Sequence, residues 1–240
     1  MNILIPACGN DKQFRDEYWA KNVTEINGKT MIEHTICNYD SFDNKRFIVL
    51  LNESECIKFH TDNLVKLLTD GECNIIRVAQ ETKGALCTCL LAIDSINDDD
   101  ELLISNNDHK FDCNIANELE TIRNDNSDGG VVTFECVHPR WSYVRLENGK
   151  ITEASEKRPI SKNAIAGLYF FKHGKDFVES AKRAIMKNRC YEGRFYLSAA
   201  INEMILMGKV MHTAKIPSDK YHSFYEPKQI EKYEMELRRI

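Results

Sequence analysis

Apolar, β-branched runs alternate with helix-period stripes through the first half of this chain, and that alternation most restricts its fold. Residues 2–6 (NILIP) form a short apolar run suited to a buried strand. Ile32, Ile36 and Tyr39 fall at helical spacing. Residues 46–51 (RFIVLL) read as the next strand, and 57–68 as a helix that Gly71 stops. Residues 74–79 (NIIRVA) and 101–105 (ELLIS) are further strands. Between them Leu86, Leu90 and Ile93 make a helical stripe that starts just after Gly84. Ile115, Leu119 and Ile122 mark the next helix. Strands alternating with helices predict an α/β fold: a Rossmann-like three-layer α/β/α arrangement around a mixed, mostly parallel central sheet.

The second half changes character. Residues 130–135 (GVVTFE) and 164–171 (AIAGLYFF) read as strands. Residues 143–146 and 151–154 flank Asn148-Gly149, a dipeptide suited to a type I′ hairpin turn because both positions tolerate positive φ. Helices are expected around 176–186 and 197–207, a short strand at 210–216, and a last helix opened by Pro227. The run Asp98-Asp99-Asp100-Glu101 reads as a solvated loop. No repeat or linker interrupts the 240 residues, so a single domain is expected.

Composition narrows the class. The chain carries 32 Lys and Arg against 37 Asp and Glu, a net charge of −5, which disfavours sequence-independent nucleic-acid binding. No apolar stretch is long enough for a membrane span, and the opening Met1-Asn2-Ile3-Leu4-Ile5-Pro6 lacks a basic leader, so a cytoplasmic protein is expected. The nine cysteines are odd in number and irregularly spaced, with no Cys-x-x-Cys pair. They read as free thiols in a reducing compartment.

In an open α/β sheet, ligands bind beyond the carboxyl ends of the strands. Three segments lie there. After the first strand, residues 7–15 hold Gly9, Lys12 and Arg15, which could cradle phosphates. After the third, residues 80–85 lead into a helix whose positive end starts near Gly84. After the fourth, residues 106–110 present Asp108, a hard carboxylate suited to Mg²⁺. Together they suggest a nucleotide and a metal. His109, His34, His60, His173 and His212 read as structural, and Trp141 either packs under a loop or lines a pocket.

Six blocks then give the chain a resemblance. Residues 3–9 (ILIPACG), 20–34 (AKNVTEINGKTMIEH), 80–85 (QETKGA), 103–108 (LISNND), 154–159 (ASEKRP) and 166–171 (AGLYFF) follow one another as in the sugar-nucleotide pyrophosphorylases. These are nucleotidyltransferases that join a nucleoside triphosphate to a phosphorylated sugar. The resemblance runs over nearly the whole chain, with 1–125 as a nucleotide-binding half and 126–240 as an acceptor-binding half. It implies that Ala7, Cys8, Gly9, Gln80, Gly84 and Asn107 hold the nucleotide. Lys21 would sit on the α-phosphate, with Lys12 and Arg15 on the outer phosphates and Asp108 on Mg²⁺. Glu156, Lys157 and Tyr169 would face the acceptor.

The implied substrates are CTP, UTP or dTTP with a sugar 1-phosphate, for cell-surface or capsular polysaccharide, and the family admits a homodimer. Two other readings stand beside it. One is a cytidylyltransferase with a non-sugar acceptor such as phosphocholine or phosphoglutamine. The other is a degenerate nucleotide binder. A glycosyltransferase of related fold would need Asp-x-Asp where this chain has Asn106-Asn107-Asp108. The chain departs from the family pattern at three places. Gln13 stands where the glycine loop usually has arginine, Asn22 where a proline follows the lysine, and Ser223 where a second metal aspartate often lies. Either one carboxylate suffices, or Asp112, Asp219, His222 or Glu226 replaces that aspartate.

Overall fold

A computed structural model describes residues 1–9, 12–14, 19–124 and 127–238. Arg15 and the Lys12 side chain, both expected at the phosphates, lie outside what is described. The first half runs β1 (Asn2–Ala7), β2 (Glu25–Ile26), β3 (Lys29–Thr30), α1 (Met31–Cys37), β4 (Arg46–Asn52), α2 (Glu53–Phe59), α3 (Thr61–Leu68), β5 (Cys73–Val78), α4 (Ala85–Leu90), α5 (Ile93–Ile96), β6 (Leu102–Ser105), β7 (His109–Phe111) and α6 (Ile115–Asn124). The second half runs β8 (Gly129–Glu135), β9 (Ser142–Glu147), β10 (Lys150–Glu156), β11 (Asn163–Phe171), α7 (Gly174–Met186), α8 (Leu197–Leu206), β12 (Met211–Lys215), β13 (Tyr221–Ser223) and α9 (Pro227–Leu237).

β1 sits between β4 and β6, and β5 flanks β4, all parallel. β11 is the node that joins the halves. It pairs antiparallel with β6 through Leu168–Phe171, with β8 on its other side, and with β9 at Ala164. β12 adds parallel to β8, and β9 and β10 form the Asn-Gly hairpin. Taking these pairings together, only β10 and β11 run against β1, β4, β5, β6, β8, β9 and β12. The turn has Asn148 at φ 51° and Gly149 at φ 78°, as the hairpin requires.

Side-chain alternation divides the core into two layers. Leu4, Ile48, Leu50 and Ile104 face α4, α7 and α8, among Leu86, Phe177, Ala200 and Met204. Ile3, Ile5, Val49 and Leu51 face the other way, against Ile32, Tyr39, Ile115 and Leu119. A third, small core forms under α9 from Phe14, Ile26, Met31, Phe224, Ile230 and Tyr233.

Two expected helices are broken. The single helix over 57–68 is instead α2 and α3, because His60 takes a left-handed φ of 54° and interrupts the hydrogen-bond ladder. α2 begins earlier, at Glu53, where the Asn52 side chain caps Ser54 N at 2.9 Å. The stripe after Gly84 likewise divides into α4 and α5. The acidic run at 98–101 is solvated as expected: Asp99 pairs with Lys175, and Glu101 with Arg123. All nine cysteines are free, and no cluster of three His, Cys, Asp or Glu suited to a metal occurs among the described residues. No helix among them is long and apolar enough to cross a membrane.

Candidate active site

The carboxyl ends of β1 and β6 bring together a buried ion pair. Lys21 opens a short 3₁₀ turn, Lys21–Val23, and Asp108 ends the loop between β6 and β7. Lys21 Nζ lies 2.8 Å from Asp108 Oδ2, and the two residues are 6% and 8% exposed. The rings of Phe14 and Tyr225 each sit 5.7 Å from the same ammonium. Burial alone would raise the Asp108 carboxyl, but the charge and hydrogen bond of Lys21 outweigh it and hold the group below its usual range. Asp108 is therefore ionised, and it offers the kind of oxygen that a hard divalent cation takes.

Asn22 binds the surrounding segments. Its side-chain amide donates to Ala7 O at 2.8 Å and to Glu55 Oε2 at 2.8 Å, while its carbonyl accepts from Asn107 Nδ2 at 2.7 Å. Asn107, expected on the nucleotide, is thus held by Asn22. The loop itself is anchored twice. Asn106 N donates to Gly167 O at 2.9 Å, and Phe224 N to Asp108 O at 2.7 Å. Gly167 has φ +70°, and a Cβ there would meet Asn106 Nδ2 at 2.7 Å, so glycine is needed where the β11 register shifts. Behind the loop, Ser105 Oγ accepts from Tyr39 at 2.5 Å and meets His109 Nε2 at 3.0 Å. Burial lowers the His109 imidazole to about 4, so it is a neutral packing group, as expected.

On the nucleotide side, Ala7 and Cys8 are buried, and burial pushes the Cys8 thiol up, opposed by the nearby Thr88 hydroxyl. Gly9 is open, since a Cβ would meet nothing within 4 Å, and Gln80 stands exposed beyond β5. Gly84 differs in having φ +118° and a Cβ position only 2.4 Å from Phe195 O. That space is occupied by a strap that the sequence reading passed over. Tyr191 and Arg194 close a tight bridge across Glu192 and Gly193. Phe195 N then donates to Lys83 O at 2.7 Å, Leu86 N donates to Phe195 O at 3.1 Å, and Arg194 pairs with Glu81 at 2.8 Å. A Gly at a positive-φ turn just before the helix Leu197–Leu206 is the signal that could have located it.

On the acceptor side, Glu156 Oε2 accepts from Ser142 Oγ at 2.5 Å and from Ser198 Oγ at 2.9 Å. Burial raises the Glu156 carboxyl, and the two serine hydroxyls oppose that rise. Tyr169 is buried beside this carboxylate, which with burial keeps the phenol protonated. Lys157, at φ 51°, turns away to donate to Tyr196 Oη at 3.2 Å, with the Tyr191 ring 5.6 Å from its ammonium. The strap therefore touches both the turn after β5 and the acceptor-side lysine. A groove of about 580 Å³ opens from Glu156, Tyr196 and Ser198 along β10 and α8 to Asn202 and Glu203. At β13, burial raises the Tyr221 phenol, followed by the charge of Asp108.

Ser223, at the family's second aspartate position, pairs in register with His109. The candidate replacements stand in different surroundings. Asp112 binds Lys110 and His222, Glu226 faces Arg140 at the start of α9, and Asp219 sits on an exposed 3₁₀ turn.

The nucleotidyl transferase family model matches residues 17–215. Among solved structures, the chain is similar to a nucleoside-diphosphate-sugar pyrophosphorylase from Vibrio cholerae, with a TM-score of 0.84 and 21% identity over 97% of this chain and 99% of that one. It is also similar to a protein from Bacillus anthracis provisionally named a glucose-1-phosphate thymidylyltransferase (TM-score 0.76, 19% identity, 100% and 95% covered). The inositol-1-phosphate CTP transferase of T. maritima aligns with a TM-score of 0.73 at 12% identity, covering 95% and 90%. A search of curated proteins returns no match. At these identities the structures establish the shared fold, and the family model covers most of the sequence. The chain belongs to the nucleotidyl transferase family, enzymes that move a nucleotidyl group from a nucleoside triphosphate.

Proposed function

We propose that this enzyme transfers a nucleoside monophosphate from CTP, UTP or dTTP to a small phosphorylated acceptor, a sugar 1-phosphate, and releases pyrophosphate. The observation that carries the reading is the buried Lys21–Asp108 pair at the ends of β1 and β6, with the Glu156 and Lys157 cluster on the adjoining side. In this reading residues 1–125 hold the nucleotide, with Ala7, Cys8, Gly9, Gln80 and Gly84 around base and ribose. Residues 126–240 hold the acceptor, with Glu156 and Tyr169 at its hydroxyls and Lys157 at its phosphate.

An oxygen of the acceptor phosphate attacks the α-phosphorus. The new P–O bond forms as the bond to the β-phosphate oxygen breaks, and pyrophosphate carries away the electron pair. The acceptor is already anionic, so no strong general base is required, and the protein's work is positioning and charge neutralisation. Lys21 exchanges Asp108 for the α-phosphate. Asp108 is the residue that would hold Mg²⁺, and its ionised oxygens fit a cation that takes one or two carboxylates plus phosphates and water. When bound, that ion supplies charge neutralisation at the phosphates. The product would feed cell-surface or capsular polysaccharide synthesis from the cytoplasm.

A second reading has specific support. The structural likeness to an inositol-1-phosphate CTP transferase favours CTP with a non-sugar phosphate acceptor, such as phosphocholine or phosphoglutamine. The test crosses each nucleoside triphosphate with sugar 1-phosphates, inositol 1-phosphate, phosphocholine and phosphoglutamine in Mg²⁺ and follows pyrophosphate. Release with a sugar 1-phosphate supports the first reading, and release only with CTP and a non-sugar phosphate supports the second. No release from any pair by folded protein would leave a nucleotide binder without turnover.

A further inference from the structure

Residues 21–22 and 107–108 are joined by two adjacent side-chain bonds of different kinds. Lys21–Asp108 is ionic, and Asn22–Asn107 is neutral. Under the function proposed above, on which this inference rests, the ionic bond would open in every turnover, because Lys21 would serve the α-phosphate and Asp108 would be the residue to hold the cation. The neutral bond has no such task. Asn22 is 2% exposed, and its three bonds reach β1, α2 and the loop after β6.

We propose that Asn22 is a positioning residue. It keeps the Lys21 turn and the Asp108 loop in register while the ion pair between them is broken. Both of its amide hydrogens and its carbonyl are used, so its orientation is fixed from three directions. A proline, which the family pattern places here, carries neither group. A lysine and an aspartate that part company in the Michaelis complex need a tether insensitive to charge, and an amide–amide bond is one. It also gives Asn107 Nδ2 a fixed partner in the Asn22 carbonyl.

The test separates this role from the reading it rests on. Hydrogen exchange is followed at the amides of Asn106 and Phe224, whose bonds to the Gly167 and Asp108 carbonyls anchor the loop. Lys21→Met opens the ionic bond and leaves the neutral one, and with Asn22 present it is expected to speed exchange at both amides by less than about tenfold. Lys21→Met combined with Asn22→Leu is expected to speed it by about 100-fold or more. Asn107→Ala removes only the neutral bond, from the other side and with little disturbance of volume, and combined with Lys21→Met it should speed exchange at both amides beyond Lys21→Met alone. If Lys21→Met alone frees both amides fully, or if adding Asn22→Leu or Asn107→Ala changes nothing further, the proposal is overturned.

In turnover, Asn107→Ala should lower kcat by about 10- to 100-fold with the nucleotide KM little changed, as for misplacement of a reacting group. A kcat at the wild-type level per folded molecule contradicts the proposal. A wild-type protein that releases no pyrophosphate overturns the proposed function instead, while the exchange result still decides whether Asn22 holds the loop.

Discussion

At the residue scale, the Lys21–Asp108 pair sets the character of the site. A buried charge left without its partner costs about 3–5 kcal/mol, far more than a pair contributes net. Lys21→Met should therefore destabilise the protein by about that amount, and Lys21→Met/Asp108→Asn by clearly less, because no carboxylate is then stranded. Thermal or urea unfolding of the two variants measures the difference; equal losses would mean that Asp108 finds other compensation. Both residues were legible in the sequence through the blocks that contain them. The bonds made by Asn22 were not. Their partners, Ala7, Glu55 and Asn107, are brought to it only by the tertiary fold.

At the element scale, the turn after β5 depends on a close approach. Gly84→Ala would put a methyl group 2.4 Å from Phe195 O, in a φ range that suits only glycine. A cost of about 1–3 kcal/mol is expected, together with a raised KM for the nucleotide. Unfolding and initial-rate measurements check both, and a normal KM would show that the strap does not set the nucleotide turn.

α1 offers a pH-dependent case. His34 is 5% exposed, bonds Ile26 O at 2.8 Å and packs against Phe224 and Tyr233. Burial lowers its imidazole below the usual value, and the bond to Ile26 works against that. The unfolded chain then takes up a proton below about pH 6.5 that the folded chain refuses. Stability from this residue is full above that pH and is lost as the pH falls below it. Unfolding of His34→Gln should show a shallower decline from pH 7 to pH 5 than the wild type, and an unchanged slope would place the dependence elsewhere.

The long apolar strands and the Asn-Gly hairpin were readable because their side-chain period repeats. β2, β3, β7 and β13 were not, since two or three residues show no alternation, and β7 and β13 pair from distant parts of the chain. The break at His60 was hidden for another reason: it depends on one left-handed residue that is not glycine.

At the scale of the whole molecule, the net charge of −5 means that the proposed function needs positive charge placed locally. The ammonium groups at Lys21 and Lys157 are held by a carboxylate and a phenol respectively, and in the proposed function they are the groups that meet phosphate. One continuous sheet carries both, β1 and β6 on one side of β11 and the β9–β10 hairpin on the other part of it. That continuity fixes the nucleotide turn, the Asp108 loop and the acceptor groove in one frame. The most direct measurement is pyrophosphate release by the wild type and by Asp108→Ala, side by side, with Mg²⁺ and the best pair of substrates. Release by the wild type and a fall of about 100-fold or more in the variant, with protein still folded, is the result expected from loss of a charge-neutralising group. No release by the wild type, or undiminished release by Asp108→Ala, would contradict the account.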